Sequence, residues 1–260
     1  MRGLCPDGHA TLTDLKNLPG DAEVVYPLFA ANTDKLDGIL ADILRRWATN
    51  TFEEAEADAA ESIAADIGNF GNLIQQFPLG SKASNMEIAV ASYETVLQVY
   101  TREAFPQQWA TTQNNLGSAY RNRIKGDIAE NIELAIASYN AALQITTKEA
   151  FPQQWATTQN NLAIAYRNRI KGDIAENIEL AIASYNAALQ ITTKEAFPQQ
   201  WATTQNNLAI AYRNRIKGDI AENIELAIAS YKAALQITTK EAFPQQWATT
   251  QNNLALAYSY

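Results

Sequence analysis

Two side chains of this sequence belong to the types that most often form a metal site or a nucleophilic pair. Cys5 is the only cysteine and His9 the only histidine. A zinc or disulfide site needs several such residues, and a Cys-His pair must be held on well-formed elements. No glycine-rich phosphate loop separates a strand from a helix. The sequence therefore predicts a protein that is not an enzyme and that uses no metal or cofactor.

Composition excludes two further classes of partner. The chain has 260 residues, of which 47% are hydrophobic and 18% charged, and no apolar run approaches the roughly 18 to 20 residues of a membrane span. Residues 1–102 hold 15 acidic and 7 basic side chains, whereas residues 103–260 hold 13 of each. A basic face for nucleic acid is therefore not expected. Since no secretory signal is legible, we expect a cytoplasmic protein that binds neither membrane nor nucleic acid.

One segment recurs almost unchanged through the second half of the chain. The motif Glu-Ala-Phe-Pro-Gln-Gln-Trp begins at Glu103, Glu149, Glu195 and Glu241, so the spacing is 46 residues. The copies differ at very few positions: Gly117 and Ser118 become Ala163 and Ile164, and Asn186 becomes Lys232. A fixed period of this length predicts a solenoid, in which each unit covers the apolar face of its neighbour.

Each copy contains two amphipathic helical patterns. The first begins at Pro106, has a buried stripe at helical spacing, and ends near Gly126 in a left-handed cap. The second begins with a capping box formed by Asp127 and Glu130 and runs to about Thr147, with a later start at Asn131 as the alternative. The stripe of the first helix comprises Trp109, Gln113, Leu116, Tyr120 and Ile124, and that of the second includes Ile128, Ile132, Ala135, Ile136 and Tyr139.

Leu116-Gly117-x-x-Tyr120, followed by Ala135, Tyr139 and Ala142, resembles the tetratricopeptide repeat. The resemblance implies an all-α fold, a right-handed α-solenoid or superhelix of antiparallel helix-turn-helix repeats. The usual unit has about 34 residues, and here six residues are added at each turn. The string Gln113-Asn114-Asn115-Leu116 is similar to the long-repeat arrays of kinesin light chains and of cyanobacterial proteins with CHAT peptidase domains.

Shifting the repeat back by 46 residues aligns Phe70 with Leu116, Gly71 with Gly117 and Tyr93 with Tyr139. An earlier helix opened by Thr33 would cap the array. The predicted segments are a loosely ordered stretch (1–32), a capping helix region (33–56), a degenerate repeat (57–102), three repeats (103–148, 149–194 and 195–240) and a half repeat with only the first helix (241–260).

The resemblance implies that a protein or peptide binds in the concave groove lined by the first helices. Asparagine can donate to and accept from a peptide backbone, and arginine can hold a carboxylate by two hydrogen bonds. Alternatively, the asparagines join adjacent helices and the arginines pair with neighbouring glutamates. The repeated tryptophans are expected in the core. The candidate groove residues are Asn114, Asn115, Asn160, Asn161, Asn206, Asn207, Asn253, Arg121, Arg167, Arg213 and the apolar Ile164 and Ile210.

The last helical pattern supplies a second candidate surface. It has no following helix to cover it, so an end-to-end contact between copies is predicted at Leu254, Leu256, Tyr258 and Tyr260. Three functions follow as hypotheses. The first is a noncatalytic scaffold that binds a peptide or protein segment; the second is a self-assembly module that forms a homo-oligomer; the third is the sensor portion of a larger CHAT-type protease.

Overall fold

A computed structural model describes residues 21–260, which form α-helices and no β-strand. This part of the chain divides into two compact units, one ending at Ile145 and the other running from Thr146 to Tyr260. The eleven helices are α1 (Ala22–Ala30), α2 (Gly38–Glu54), α3 (Ala57–Gln76), α4 (Lys82–Val96), α5 (Pro106–Asn122), α6 (Ile128–Leu143), α7 (Pro152–Arg167), α8 (Ile174–Leu189), α9 (Pro198–Arg213), α10 (Ile220–Leu235) and α11 (Pro244–Tyr258).

The unit that ends at Ile145 contains α1 to α6. α3 pairs with α4 and α5 pairs with α6, while α4 also packs against α2 and α5. α1 contacts α3 through aromatic rings: the ring centroid of Phe29 lies 5.7 Å from that of Phe70 and 5.3 Å from that of Phe77. The unit is therefore a stack of α-helical hairpins with two further helices packed against it.

The second unit contains α7 to α11. α7 pairs with α8 and α9 pairs with α10, while α8 packs on α9 and α10 packs on α11. Tyr185 and Tyr231 lie at the centres of two successive core clusters, and both side chains are fully buried. Each unit thus has the stacked hairpins of an α-solenoid, and the predicted all-α fold class is confirmed.

The starts of the helices follow the sequence signals. Pro106 occupies the first turn of α5, where a backbone N–H would have no partner within the helix, so its lack of an N–H costs no hydrogen bond. The carboxylate of Asp127 accepts a hydrogen bond from the Glu130 N–H at 2.9 Å, which makes Asp127 the N-cap of α6. The predicted cap is therefore confirmed, and Asn131 is not the start. The same cap recurs at Asp173 of α8 and Asp219 of α10.

The turn between α5 and α6 is closed by a buried asparagine. Asn131 donates from Nδ2 to the Lys125 carbonyl at 2.8 Å, and Gly126 lies between them at φ +80°, which side chains rarely adopt. α5 itself ends at Asn122, so the prediction that Gly126 caps this helix is wrong. Arg123 leaves the helix in an extended conformation and reaches Glu87 of α4. Equivalent turn bonds join Asn177 to Lys171 and Asn223 to Lys217.

Two other boundaries differ from the predictions. α6 ends at Leu143 rather than about Thr147, because the Gln144 and Ile145 N–H groups bond carbonyls three residues back and tighten the chain. α2 begins after Asp37, whose carboxylate accepts from two amide groups at its start, and not at Thr33.

The N-terminal prediction is partly wrong. Residues 22–30 form α1, where a loosely ordered stretch was expected, because Asp21 caps the helix and its apolar face packs on α3. The predicted order of residues 1–20 and the candidate ligands Cys5 and His9 lie outside the described residues.

Replacing Asn131 with Ala should lower the free energy of unfolding by about 1 to 3 kcal/mol, because the Lys125 carbonyl loses its donor. Asn140→Lys is the matched control, since Asn140 is exposed on the same helix and the third copy carries Lys232 there. Urea denaturation followed by circular dichroism measures both. Equal losses in the two variants would contradict a special role for Asn131.

Candidate functional site

In the first unit, the predicted asparagine ladder is partly used to join neighbouring helices. Asn115 donates to Asn72 Oδ1 of α3 at 3.0 Å, and Asn114 donates to Asn115 Oδ1 at 3.3 Å. The Tyr93 hydroxyl lies 2.8 Å from Asn72 Oδ1 and 2.8 Å from Gln75 Oε1. These bonds form a polar network between α3, α4 and α5. The interhelical use that the sequence left open is therefore present at Asn115.

In the second unit the asparagines are engaged differently. Asn160 Oδ1 of α7 lies 3.4 Å from Thr204 Oγ1 of α9, whose hydroxyl donates to the Gln200 carbonyl at 2.8 Å. Asn206 Oδ1 is buried and has no hydrogen-bond partner within the described chain. The other candidates on these helices are half-buried: Asn161, Asn207 and Asn253.

The predicted arginines share one unusual feature. Arg121, Arg167 and Arg213 are half-buried, and the Nη1 atom of each is buried with no hydrogen-bond partner among residues 21–260. A buried guanidinium donor without an acceptor is unfavourable by about 1 to 3 kcal/mol. The sequence left open that these arginines pair with a neighbouring glutamate. Among the described residues, their Nη1 atoms form no such pair.

The arginines two positions later behave in the opposite way. Arg123 forms a two-pronged ion pair with Glu87 at 2.7 Å, and Arg215 forms one with Glu179 at 2.7 and 2.8 Å. The hydrogen bonds from Arg123 hold the pKa of the Glu87 carboxyl below its usual range. Lys217 also pairs with Glu176. Each bridge joins the turn of one hairpin to the second helix of the preceding hairpin, so these arginines are structural.

Burial raises the pKa of the central tyrosines. The pKa of Tyr139 is raised to about 12 because its ring and hydroxyl are removed from water. Burial also raises the pKa of Tyr231, while the positive charges of Arg213 and Arg167 oppose the shift. Its hydroxyl is buried and finds no hydrogen-bond partner in the described residues. Arg167 and Arg213 therefore act electrostatically on the same buried phenol.

The apolar candidates at the position of Ser118 are only partly available to a ligand. Ile164 and Ile210 are half-buried, and each packs against one of the two core clusters of the second unit. Leu256, at the equivalent position of α11, is 46% exposed. The apolar strip therefore belongs in part to the core.

The tryptophans are not the fully buried core residues that were predicted. Trp109, Trp155, Trp201 and Trp247 are half-buried, and each has a cation about 6 Å from the ring centroid. The cations are Arg102, Lys148, Lys194 and Lys240, which precede the rings by seven residues. The constant spacing of seven residues between each cation and its tryptophan is the feature of the sequence that could have predicted these contacts. A cation over an indole contributes about 0.5 to 1 kcal/mol at exposed sites.

Two isoleucines were also placed on buried stripes and are exposed. Ile124 and Ile128 flank the turn between α5 and α6 and have exposed fractions of 55% and 62%. Ile124 lies after the last residue of α5, and Ile128 is the first residue of α6. Their counterparts in the second unit are exposed too: Ile170, Ile174, Ile216 and Ile220.

At the predicted end-to-end interface, one residue departs from the expectation. Leu254 is buried in the cluster around Tyr231, because α10 already covers that side of α11. Tyr258 and Tyr260 are exposed, at 59% and 84%. Lys232 Nζ lies 5.5 Å from the Tyr258 ring centroid. The exposed surface therefore includes Leu256, Tyr258 and Tyr260 but not Leu254.

None of the described helices is both long and apolar enough to cross a membrane. Between residues 21 and 260 there is no group of three or more His, Cys, Asp or Glu side chains placed to hold a metal ion.

Stacked hairpins at a 46-residue spacing define a helical repeat protein. Residues 109–146, 155–192 and 201–238 match the tetratricopeptide repeat family, and these three segments are tetratricopeptide repeats. Such repeats are helical scaffolds for protein interaction, so a role in protein–protein interaction follows in general terms.

The fold is also similar to that of a solved structure, the crystal structure of BtubC (BKLC) from P. vanneervenii, with a TM-score of 0.52. The two are 18% identical, over 83% of this chain and 86% of that one, and the likeness shows the fold alone. No curated protein matches the chain.

The raised pKa of Tyr139 gives a prediction for alkaline pH. An unfolded tyrosine loses its proton near pH 10, whereas the folded one keeps it to about pH 12. The unfolded state therefore binds fewer protons in this window, and stability falls as the pH rises from 10 to 12. Tyr139→Phe should reduce that loss, as measured by urea midpoints at pH 9, 10 and 11. An unchanged pH dependence would contradict the assignment.

Proposed function

We propose that α7 and α9, the first helices of two successive repeats in the second unit, bind an extended acidic segment of a partner protein and perform no chemistry. The observation that carries this proposal is the recurrent half-buried arginine of the second unit, Arg167 of α7 and Arg213 of α9, whose buried Nη1 atom has no hydrogen-bond partner in the described residues. A ligand carboxylate would accept charge-assisted hydrogen bonds from the solvent-facing side of each guanidinium, because the Nη1 atom itself is buried. The family's general role in protein interaction supports a protein ligand.

The charge pattern around these arginines favours an acidic ligand. In the second unit, Arg215 is already paired with Glu179, whereas Arg167 and Arg213 carry positive charge toward a buried phenol. Two guanidinium groups at successive repeats, neither of which pairs with a carboxylate at Nη1, repel a basic segment and attract an acidic one. Carboxylates at two points of an extended segment therefore fit this surface.

The asparagines and isoleucines would complete the recognition. Asn207 and Asn253 are half-buried, and each amide can donate to and accept from a peptide backbone. Ile164 and Ile210 leave part of their side chains uncovered for an apolar residue of the ligand. Backbone contacts would supply affinity and the carboxylates would supply specificity.

A phage-displayed library of random 12-residue peptides, selected against the 260-residue chain, tests this proposal. We expect the selected peptides to be enriched in Asp and Glu. The double variant Arg167→Gln, Arg213→Gln should bind them about a hundredfold more weakly, roughly 1.4 kcal/mol for each arginine. Fluorescence anisotropy with the best peptide measures the affinity.

Arg215→Gln is the matched control because it removes a guanidinium of the ion pair with Glu179 two positions away. It should lower the thermal midpoint and leave peptide affinity nearly unchanged. Peptides without acidic enrichment, or equal binding to the double variant, would overturn the proposal.

A further inference from the structure

One side of α7 and of α9 carries an asparagine, an isoleucine and an arginine at intervals of three residues. Residues three apart on a helix are neighbours on its surface. Each helix therefore presents an amide, an apolar group and a guanidinium in the same order, and a segment that crosses both helices meets this set twice. The six half-buried residues are Asn161, Ile164 and Arg167 of α7, and Asn207, Ile210 and Arg213 of α9.

The packing of α7 on α9 fixes the distance between equivalent residues. The two helices contact each other and run in the same direction, since each is the first helix of its hairpin. Thr204 Oγ1 of α9 lies 3.4 Å from Asn160 Oδ1 of α7, whereas Thr204 corresponds to Thr158 in the repeat. The helices are therefore offset by two residues, about 3 Å along the axis. Axes of packed helices lie about 8 to 10 Å apart, so equivalent residues are separated by roughly 9 to 10 Å.

The two guanidinium groups are related in the same way as the helices that carry them. The Nη1 atoms of Arg167 and Arg213 are both buried, which is the same side-chain placement at two equivalent positions. Burial raises the pKa of Tyr231, and the positive charges of Arg213 and Arg167 oppose that rise, so both groups lie near one buried hydroxyl. Two carboxylates that pair with both arginines must therefore be roughly 9 to 10 Å apart.

Few backbone conformations place side chains of one face at this separation. In polyproline II, three residues complete a turn and rise about 9.3 Å, so every third side chain points the same way. In a β-strand, side chains of one face are about 6.7 or 13.4 Å apart, because successive residues point to opposite sides. An α-helix reaches about 10.5 Å after seven residues, but its backbone amides are already bonded within the helix.

We propose that the partner segment binds α7 and α9 in the polyproline II conformation, with an acidic side chain at every third residue. This inference rests on the acidic ligand proposed above. Polyproline II has no internal hydrogen bonds, so its N–H and C=O groups are available to the amide of Asn207. Of the two residues between successive acidic ones, one lies over the uncovered part of Ile210.

Four fluorescein-labelled peptides of 12 residues and one composition test the spacing. Each carries two glutamates in a host of serine and alanine, and the glutamates are two, three, four or seven positions apart. The three-position peptide should bind the 260-residue chain at least fivefold more tightly than the others in anisotropy titrations, because only its carboxylates reach both guanidinium groups. Prolines between the glutamates of that peptide should tighten binding at least threefold more, since they fix polyproline II in advance.

Variants with one arginine replaced separate spacing from charge. In Arg167→Gln or Arg213→Gln only one carboxylate can be paired, so the four peptides should bind with equal affinity. Arg215→Gln is the matched control, because this arginine is already paired with Glu179, and it should keep the preference for three positions. The peptides selected from the random library give a second measurement, since their acidic residues should also be three positions apart.

The outcomes distinguish this inference from the proposed function. Equal binding of the four peptides, or acidic library peptides with no preferred spacing, would overturn the inference and leave an acidic ligand standing. Tightest binding at seven positions would overturn it as well, because it would assign the surface to a helical ligand. A library without acidic enrichment would overturn both.

Discussion

Each helical hairpin is built around one tyrosine of the second helix that packs on a small residue of the first. The side chains of Tyr139, Tyr185 and Tyr231 are fully buried. At Gly117 an added Cβ would come within 3.0 Å of two ring atoms of Tyr139. In the copies that carry alanine, the tyrosine ring must therefore be a few tenths of an ångström further from the first helix. This contact sets the distance between the helices of a hairpin.

Two nearby arginines at the end of the first helix have different environments. Arg123 lies where α5 ends, so its side chain can leave the helix axis and pair with Glu87 of the preceding hairpin. Arg121 lies one half-turn earlier on the helix and keeps an unpartnered nitrogen beside the hairpin core. The same division recurs at Arg213 and Arg215. In these two repeats, one arginine therefore joins neighbouring hairpins, and the other keeps a nitrogen without a hydrogen-bond partner.

The sequence predicted the helices well, because capping and periodicity are local properties of the chain. The N-cap at Asp127 and the proline at the start of α5 were both found in this way. Depth of burial was predicted less well, because it depends on how far a neighbouring helix extends. Ile124 was predicted on the stripe of the first helix, but α5 ends at Asn122 and Ile124 is exposed in the turn. Trp109 is only half-buried and has a cation near its ring.

The candidate sites show the same limit. Residue type identified Asn115 and Arg121 as polar groups on one face, but only the packed structure shows that Asn115 bonds to Asn72 while an arginine nitrogen has no partner. α9 and α11 show this limit most directly, because the two helices have the same pattern of apolar and polar residues. Their sequences are almost the same, yet Ala209 is in a core and Ala255 is on a surface. The sequence of a repeat therefore determines which residues each helix presents, whereas the neighbouring helices determine which faces of that helix are buried and which are exposed.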